Sequence, residues 1–166
     1  FIDVKKAYFN AEVDSPTFVE LPPEMHWPGY CGRLIRCMYG TKRAAMRWED
    51  TYKQALERLG FTQGRASPCC FTHKTRDLRL VVHGDDFTIL GCDDDLDYFQ
   101  KGIQTEFDVK VRGRLGGGKD DDKSIRILNR IVRWTEAGLR IEADPRHVEI
   151  LIKEMGLDEA NSVKTP

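Results

Sequence analysis

The spacing of apolar positions changes several times along this chain, and each change marks an element. Leu80-Val81-Val82 and Phe87-Thr88-Ile89-Leu90 are short, β-branched apolar runs flanking His83-Gly84-Asp85-Asp86, which predicts two buried strands joined by a tight hairpin. Over residues 41–59 the period lengthens. Trp48, Tyr52, Leu56 and Leu59 fall on one stripe of a helix that Gly60 ends. A second helix, residues 94–106, starts at the Asp93–Asp95 cap and carries Leu96, Phe99 and Ile103 at helical spacing. A third has Asp144 as its cap, Pro145 in its first turn, an apolar face of Val148, Leu151, Ile152 and Met155, and Gly156 as its stop. Further strands are predicted at residues 1–4, 18–21, 34–38, 70–73, 109–112, 125–134 and 139–143. The order strand, helix, hairpin, helix, strand predicts an α+β fold: an antiparallel sheet with helices on one face, the ferredoxin-like plan. Residues 1–160 read as one domain without internal repeat or linker, and residues 161–166 as the start of a linker.

The hairpin carries the candidate chemistry. Asp85 and Asp86 lie beside strands so apolar that their charge is costly unless a cation sits against them. A hard divalent ion such as Mg²⁺ is the usual partner of carboxylate oxygens. Gly84-Asp85 alone is equally the chemistry of a solvated turn. Asp3 tips that balance, because it sits near the end of a second apolar strand, Phe1-Ile2-Asp3-Val4. Carboxylates on adjoining strands can bridge two divalent ions roughly 3.5–4 Å apart, the arrangement used for in-line phosphoryl transfer. Asp3, Asp85 and Asp86 are therefore the candidate catalytic and metal-binding residues.

Asp3-Val4-Lys5-Lys6-Ala7-Tyr8-Phe9-Asn10 resembles the first palm motif of reverse transcriptases, with an aromatic five residues after the Asp. Gly84-Asp85-Asp86 stands where that family places its hairpin carboxylates. Between them, the run from Leu34 to Trp48, with Tyr39-Gly40-Thr41-Lys42-Arg43-Ala44 at its centre, is similar to the tyrosine–glycine–leucine–lysine–glutamine–alanine segment of copia-type retrotransposon polymerases. Glu20-Leu21-Pro22-Pro23, Leu59-Gly60-Phe61 and Ala66-Ser67-Pro68-Cys69-Cys70-Phe71 also resemble that subfamily, in order. Among the departures from it, His83-Gly84 replaces Tyr-Val, Arg43 replaces Gln, and Ala45 replaces Pro. Gly-Asp-Asp is the form of viral RNA-dependent RNA polymerases, so the substitution keeps a metal hairpin and removes a side chain that would touch the primer end.

The resemblance implies an RNA-directed DNA polymerase using two Mg²⁺ or Mn²⁺ ions. Its partners would be an RNA template, a DNA primer and deoxynucleoside triphosphates. Val4, Tyr8, Phe9, Gly40 and Lys42 would contact the nucleotide. Viral RNA polymerases place an Asp where Tyr8 stands; a ring there would crowd a ribose 2′-hydroxyl and favour deoxyribonucleotides. Without the resemblance, Tyr8 and Phe9 read as packing residues. Fingers upstream, and ribonuclease H and integrase regions of one polyprotein, are expected by the same likeness, as is an intracellular setting in a cytoplasmic virus-like particle.

Composition narrows the picture further. At 166 residues, with 40% hydrophobic and 32% charged positions, the chain suits one globular domain and excludes a disordered one. No apolar run reaches membrane-spanning length, and no signal peptide precedes the first motif. Five cysteines without paired Cys-x-x-Cys spacing argue for reduced thiols rather than zinc. The four histidines are scattered without a ligand pattern. A net charge of −1 is unusual for a nucleic-acid binder, but Arg33, Arg36, Lys42, Arg43 and Arg47 fall in a stretch free of acids. Lys110, Arg112, Arg114, Arg126, Arg130 and Arg133 form a second basic stretch; both suit phosphate contacts or a solvated face. Gly116-Gly117-Gly118-Lys119-Asp120 reads as a surface loop, since it lacks the Gly-Lys-Ser/Thr ending of a phosphate cradle. Nucleotide cyclases share a metal hairpin, but their Gly-Gly-Asp/Glu turn is missing here. A degenerate, inactive retroelement fragment that at most binds nucleic acid is the other reading.

Overall fold

The computed structural model describes residues 1–143 and 145–157. The chain forms two compact units, Phe1–Arg112 and Gly113–Pro166. The first contains strands β1 (Ile2–Val4), β2 (Phe18–Val19) and β3 (Gly32–Arg33), helix α1 (Ala44–Arg58), strands β4 (Thr62–Gln63), β5 (Cys70–His73), β6 (Leu78–His83) and β7 (Asp86–Leu90), helix α2 (Asp93–Glu106) and strand β8 (Val109–Val111).

Six of these strands form one antiparallel sheet in the order β4-β5-β6-β7-β1-β8. Strict alternation makes it two-faced: Leu78, Leu80 and Val82 of β6 are buried, whereas Arg79, Val81 and His83 are exposed. Register carries the apolar face across the sheet, with Phe71 opposite Leu80, Val82 opposite Phe87, and Phe87 opposite Ile2. Trp48, Tyr52, Ala55 and Leu56 of α1 and Phe99 and Ile103 of α2 complete one core with that face. Tyr52 meets the edges of Phe71 and Phe87, and Phe61 that of Phe99. Each such side chain contributes about 1.5–3 kcal/mol through burial.

Helix α1 begins three residues later than its apolar stripe predicts. The segment before it is held as turns instead, with the Thr41 hydroxyl donating to the Met38 carbonyl at 2.8 Å. Its end follows the sequence. Gly60 takes φ +85°, and the amides of Gly60 and Phe61 close back on the carbonyls of Glu57 and Leu56. A Cβ at residue 60 would also lie 2.7 Å from Nε2 of buried His73.

The strand predicted at residues 34–38 is absent. Ile35 is 77% exposed, so this segment has no second apolar face to bury. It runs beside residues 11–13 through isolated bonds, among them Cys37 N–H to the Ala11 carbonyl and an Arg36–Glu12 bridge. The short ribbon is formed instead by β2 and β3.

The second unit holds β9 (Ser124–Ile127), β10 (Arg130–Thr135) and β11 (Gly138–Glu142) in an antiparallel sheet of order β11-β10-β9, followed by α3 (Pro145–Glu154). The single strand predicted at 125–134 is thus a hairpin. Leu128 and Asn129 turn the chain with φ of +46° and +64°, a pairing of left-handed residues that a leucine does not advertise. The glycine-rich loop closes on itself: Lys123 donates from Nζ to the carbonyls of Gly116 and Gly118, and Asp121 accepts from the Gly118 amide. Gly156 ends α3 as predicted, while the Asp144 cap and the linker at 161–166 lie outside the described residues. Among the described residues, no helix is long and apolar enough to cross a membrane.

Candidate active site

The hairpin between β6 and β7 turns on two residues, Gly84 and Asp85, with His83 opposite Asp86. Gly84 takes φ +62° and Asp85 a negative φ, the pattern of a type II′ turn that needs glycine first. Two long-range bonds hold this turn. Trp48, buried in α1, donates its indole N–H to the Gly84 carbonyl at 2.8 Å. Val4 of β1 donates its amide to the Asp85 carbonyl, also at 2.8 Å.

β1 pairs with β7 so that Asp3 stands directly opposite Asp86. Residues opposed in this way project to the same face, with Cβ atoms about 4.5–5.5 Å apart. That face is the one turned away from α1 and α2, because the neighbours Ile2 and Phe87 enter the core. Asp85 is exposed in the turn. Burial raises the Asp86 pKa, and the charges of Asp85 and Asp3 raise it further, against smaller opposing effects of Arg112 and His83. The carboxyls therefore share one electrostatic neighbourhood.

On its other side Asp3 faces Lys110 of β8 in register. Two residues on, Arg112 donates from Nη2 to Asp3 Oδ1 at 2.9 Å. Among the described residues, no set of three or more His, Cys, Asp or Glu side chains forms a ready-made metal cage. Mg²⁺ is usually held by one or two carboxylates together with water and substrate phosphates. The opposed pair Asp3 and Asp86, with Asp85 in the adjoining turn, is chemically suited to that mode of binding.

Beside the carboxylates lies a cluster of rings. Lys6 takes a left-handed φ of +51°, and the chain then forms a 3₁₀ turn over Ala7–Asn10. The Asn10 amide reaches the carbonyls of Lys5, Lys6 and Ala7 and ties this turn together. Tyr8 packs on Tyr39, centroids 4.5 Å apart, and Phe9 meets Tyr39 edge-on at 5.8 Å. Partial burial first, then the Asp85 charge, raises the Tyr39 pKa, with smaller contributions from Tyr8 and Asp3. Val4 is 1% exposed, so its side chain belongs to the core and only its backbone borders the site.

Gly40 takes φ +86°, with open space where a side chain would stand. Lys42 is exposed beside a small cleft bordered also by Asp14, Thr17, Arg43 and Arg47. Three cations of that basic stretch are committed internally: Arg36 donates to the Asn10 carbonyl at 3.1 Å, Arg43 pairs with Asp14 at 2.8 Å, and Arg47 donates to the Glu12 carbonyl. Tyr39, Trp48 and Arg112 are the site residues that sequence reasoning missed. Each left a signal, Tyr39 and Trp48 as members of the run resembling the copia-type segment, and Arg112 by alternating with Lys110 along a predicted strand.

The transposon Ty5-1 protein YCL074W of Saccharomyces cerevisiae is 28% identical to this chain over 93 residues, covering 53% of the chain and 30% of that protein. The chain thus matches less than a third of that relative's length. No solved structure matches it. The family described as reverse transcriptase (RNA-dependent DNA polymerase) matches residues 1–166, the whole sequence. On that match, with its ordered motifs and paired hairpin carboxylates, the chain belongs to the reverse transcriptase family.

Proposed function

We propose that this chain is the palm-like part of a copia-type retrotransposon RNA-directed DNA polymerase, built on the ferredoxin-like plan. The carrying observation is the register that sets Asp3 against Asp86 beside the Asp85 turn. Asp3, Asp85 and Asp86 would hold two Mg²⁺ or Mn²⁺ ions, which supply activation of the primer 3′-hydroxyl and stabilisation of the leaving oxygen.

The remaining roles belong to the chain itself. Trp48 and Val4 hold the hairpin turn, so the carboxylates keep their spacing while substrates come and go. Tyr8, braced by Tyr39, would lie under the deoxyribose and crowd a 2′-hydroxyl. Phe9, Gly40, Lys42 and the Val4 backbone would border the nucleotide and template. An RNA template, a DNA primer and deoxynucleoside triphosphates are the substrates of this reading. Ribonuclease H and integrase regions of one polyprotein, in a cytoplasmic virus-like particle, complete its setting.

The test is primer extension on an RNA template by the full-length parent protein. Wild type extends, and Asp85→Asn, which removes metal-binding charge at nearly constant shape, abolishes extension. Equal extension by that variant rules out the metal role. The ion pair that Arg112 makes with Asp3 favours a second reading, a nucleic-acid-binding scaffold without turnover. Its signature is a wild-type protein that binds primer–template yet never extends it.

A further inference from the structure

We infer that Arg112 is the resident cation of the carboxylate cluster and sets its affinity for divalent ions, an inference that rests on the metal reading above. The guanidinium is bonded to Asp3 Oδ1 at 2.9 Å, and the Asp3 side chain is only 17% exposed. The guanidinium thus lies on the acid that stands opposite Asp86 in register, beside the Asp85 turn. Its base is anchored as well, because the Arg112 amide donates to the Phe1 carbonyl at 2.8 Å.

The other basic groups near this face are placed differently. Lys5 is paired with Asp108 at 2.9 Å. His83 stands opposite Asp86 on the β6–β7 ladder, and Lys110 opposite Asp3 in register. Arg112 is the group whose hydrogen bond takes an Asp3 oxygen that a divalent ion would need. A charge-assisted bond of this kind must be given up or shared before that oxygen can coordinate a metal. The metal-free cluster is therefore partly neutralised at Asp3, and divalent ions bind it against a standing competitor.

Mn²⁺ titration of the full-length parent protein, followed by loss of the free-ion electron paramagnetic resonance signal, reads this competition without turnover. Arg112→Leu keeps the length of the stem and removes the cation. It is expected to tighten Mn²⁺ binding on the order of tenfold, the size of one such contact. Arg112→Lys should stay near wild type, and adding Asp85→Asn to Arg112→Leu should cancel the gain. Arg112→Gln, also uncharged but polar, repeats the measurement if the leucine variant fails to fold. Mn²⁺ binding that is unchanged or weaker in the uncharged variants overturns the role of Arg112 while leaving the metal site standing. No Mn²⁺ binding by wild type or any variant overturns both this inference and the metal reading.

Discussion

Trp48 Nε1 donates to the Gly84 carbonyl at 2.8 Å across 36 residues of sequence, tying a core helix to the hairpin that carries the acids. The indole is 1% exposed, so its N–H has to find a partner inside the protein. The bond makes the position of the turn a consequence of core packing. Trp48→Phe keeps a ring but loses the donor and some volume, and should cost about 1–3 kcal/mol in urea unfolding. Amide exchange at Asp85 and Asp86 should speed up in the same variant. Unchanged exchange there would show that the turn holds itself.

Asp86 gives the site a pH signature. Its folded pKa lies above the ordinary carboxylate value because burial and its acidic neighbours penalise the charge. The folded state therefore binds that proton more tightly than the unfolded chain. Stability is gained as pH falls through the folded value, and the gain is complete below the unfolded value near ~3.9. Asp86→Asn should be more stable than wild type at pH 7, and the difference should vanish near pH 3. Thermal melts across that range without divalent ions check it; an Asn variant no more stable at pH 7 contradicts the assignment.

The α1–α2 contact has the opposite sign. Arg58 donates to Glu106, whose side chain is 22% exposed, and this bond holds the Glu106 pKa below its usual value. Its stabilisation is present above about pH 4.3 and is lost as pH falls through the folded value. Arg58 is 58% exposed, so solvent keeps the contribution under about 1 kcal/mol. Glu106→Gln should lower the melting temperature at pH 7 and leave it unchanged near pH 3.

Tyr8 is a test of substrate choice. Its ring packs on Tyr39 at the margin of the core, and Phe9 is 44% exposed beside it. Tyr8→Ala should relax rejection of ribonucleotides in primer extension by at least about tenfold, roughly 1.4 kcal/mol of discrimination. Mn²⁺ binding should not change. Unaltered ribonucleotide rejection would return Tyr8 to a packing role.

Much of the architecture was legible because its causes are local. The strand at the apolar run of residues 80–82, the stripe of Trp48, Tyr52 and Leu56, and the helix stop at Gly60 each follow from local composition, periodicity or a single backbone angle. The exposure of Val81 on the outer face of β6 did not show in that run. The hairpin carrying Asp85 and Asp86, and the candidacy of Asp3, were legible for the same reason. Tertiary structure decided what depends on register and on distant neighbours. It set Asp86, rather than Asp85, across from Asp3; a slip of one residue would have turned the carboxylate toward the core. It brought Arg112 onto Asp3 from 109 residues away, and it left residues 34–38 without a sheet to join. It folded Leu128 and Asn129 into a turn that no glycine announces. Local sterics choose an element one stretch at a time, whereas the partner of a charge is chosen by how strands pair, and pairing is settled only when the whole core packs.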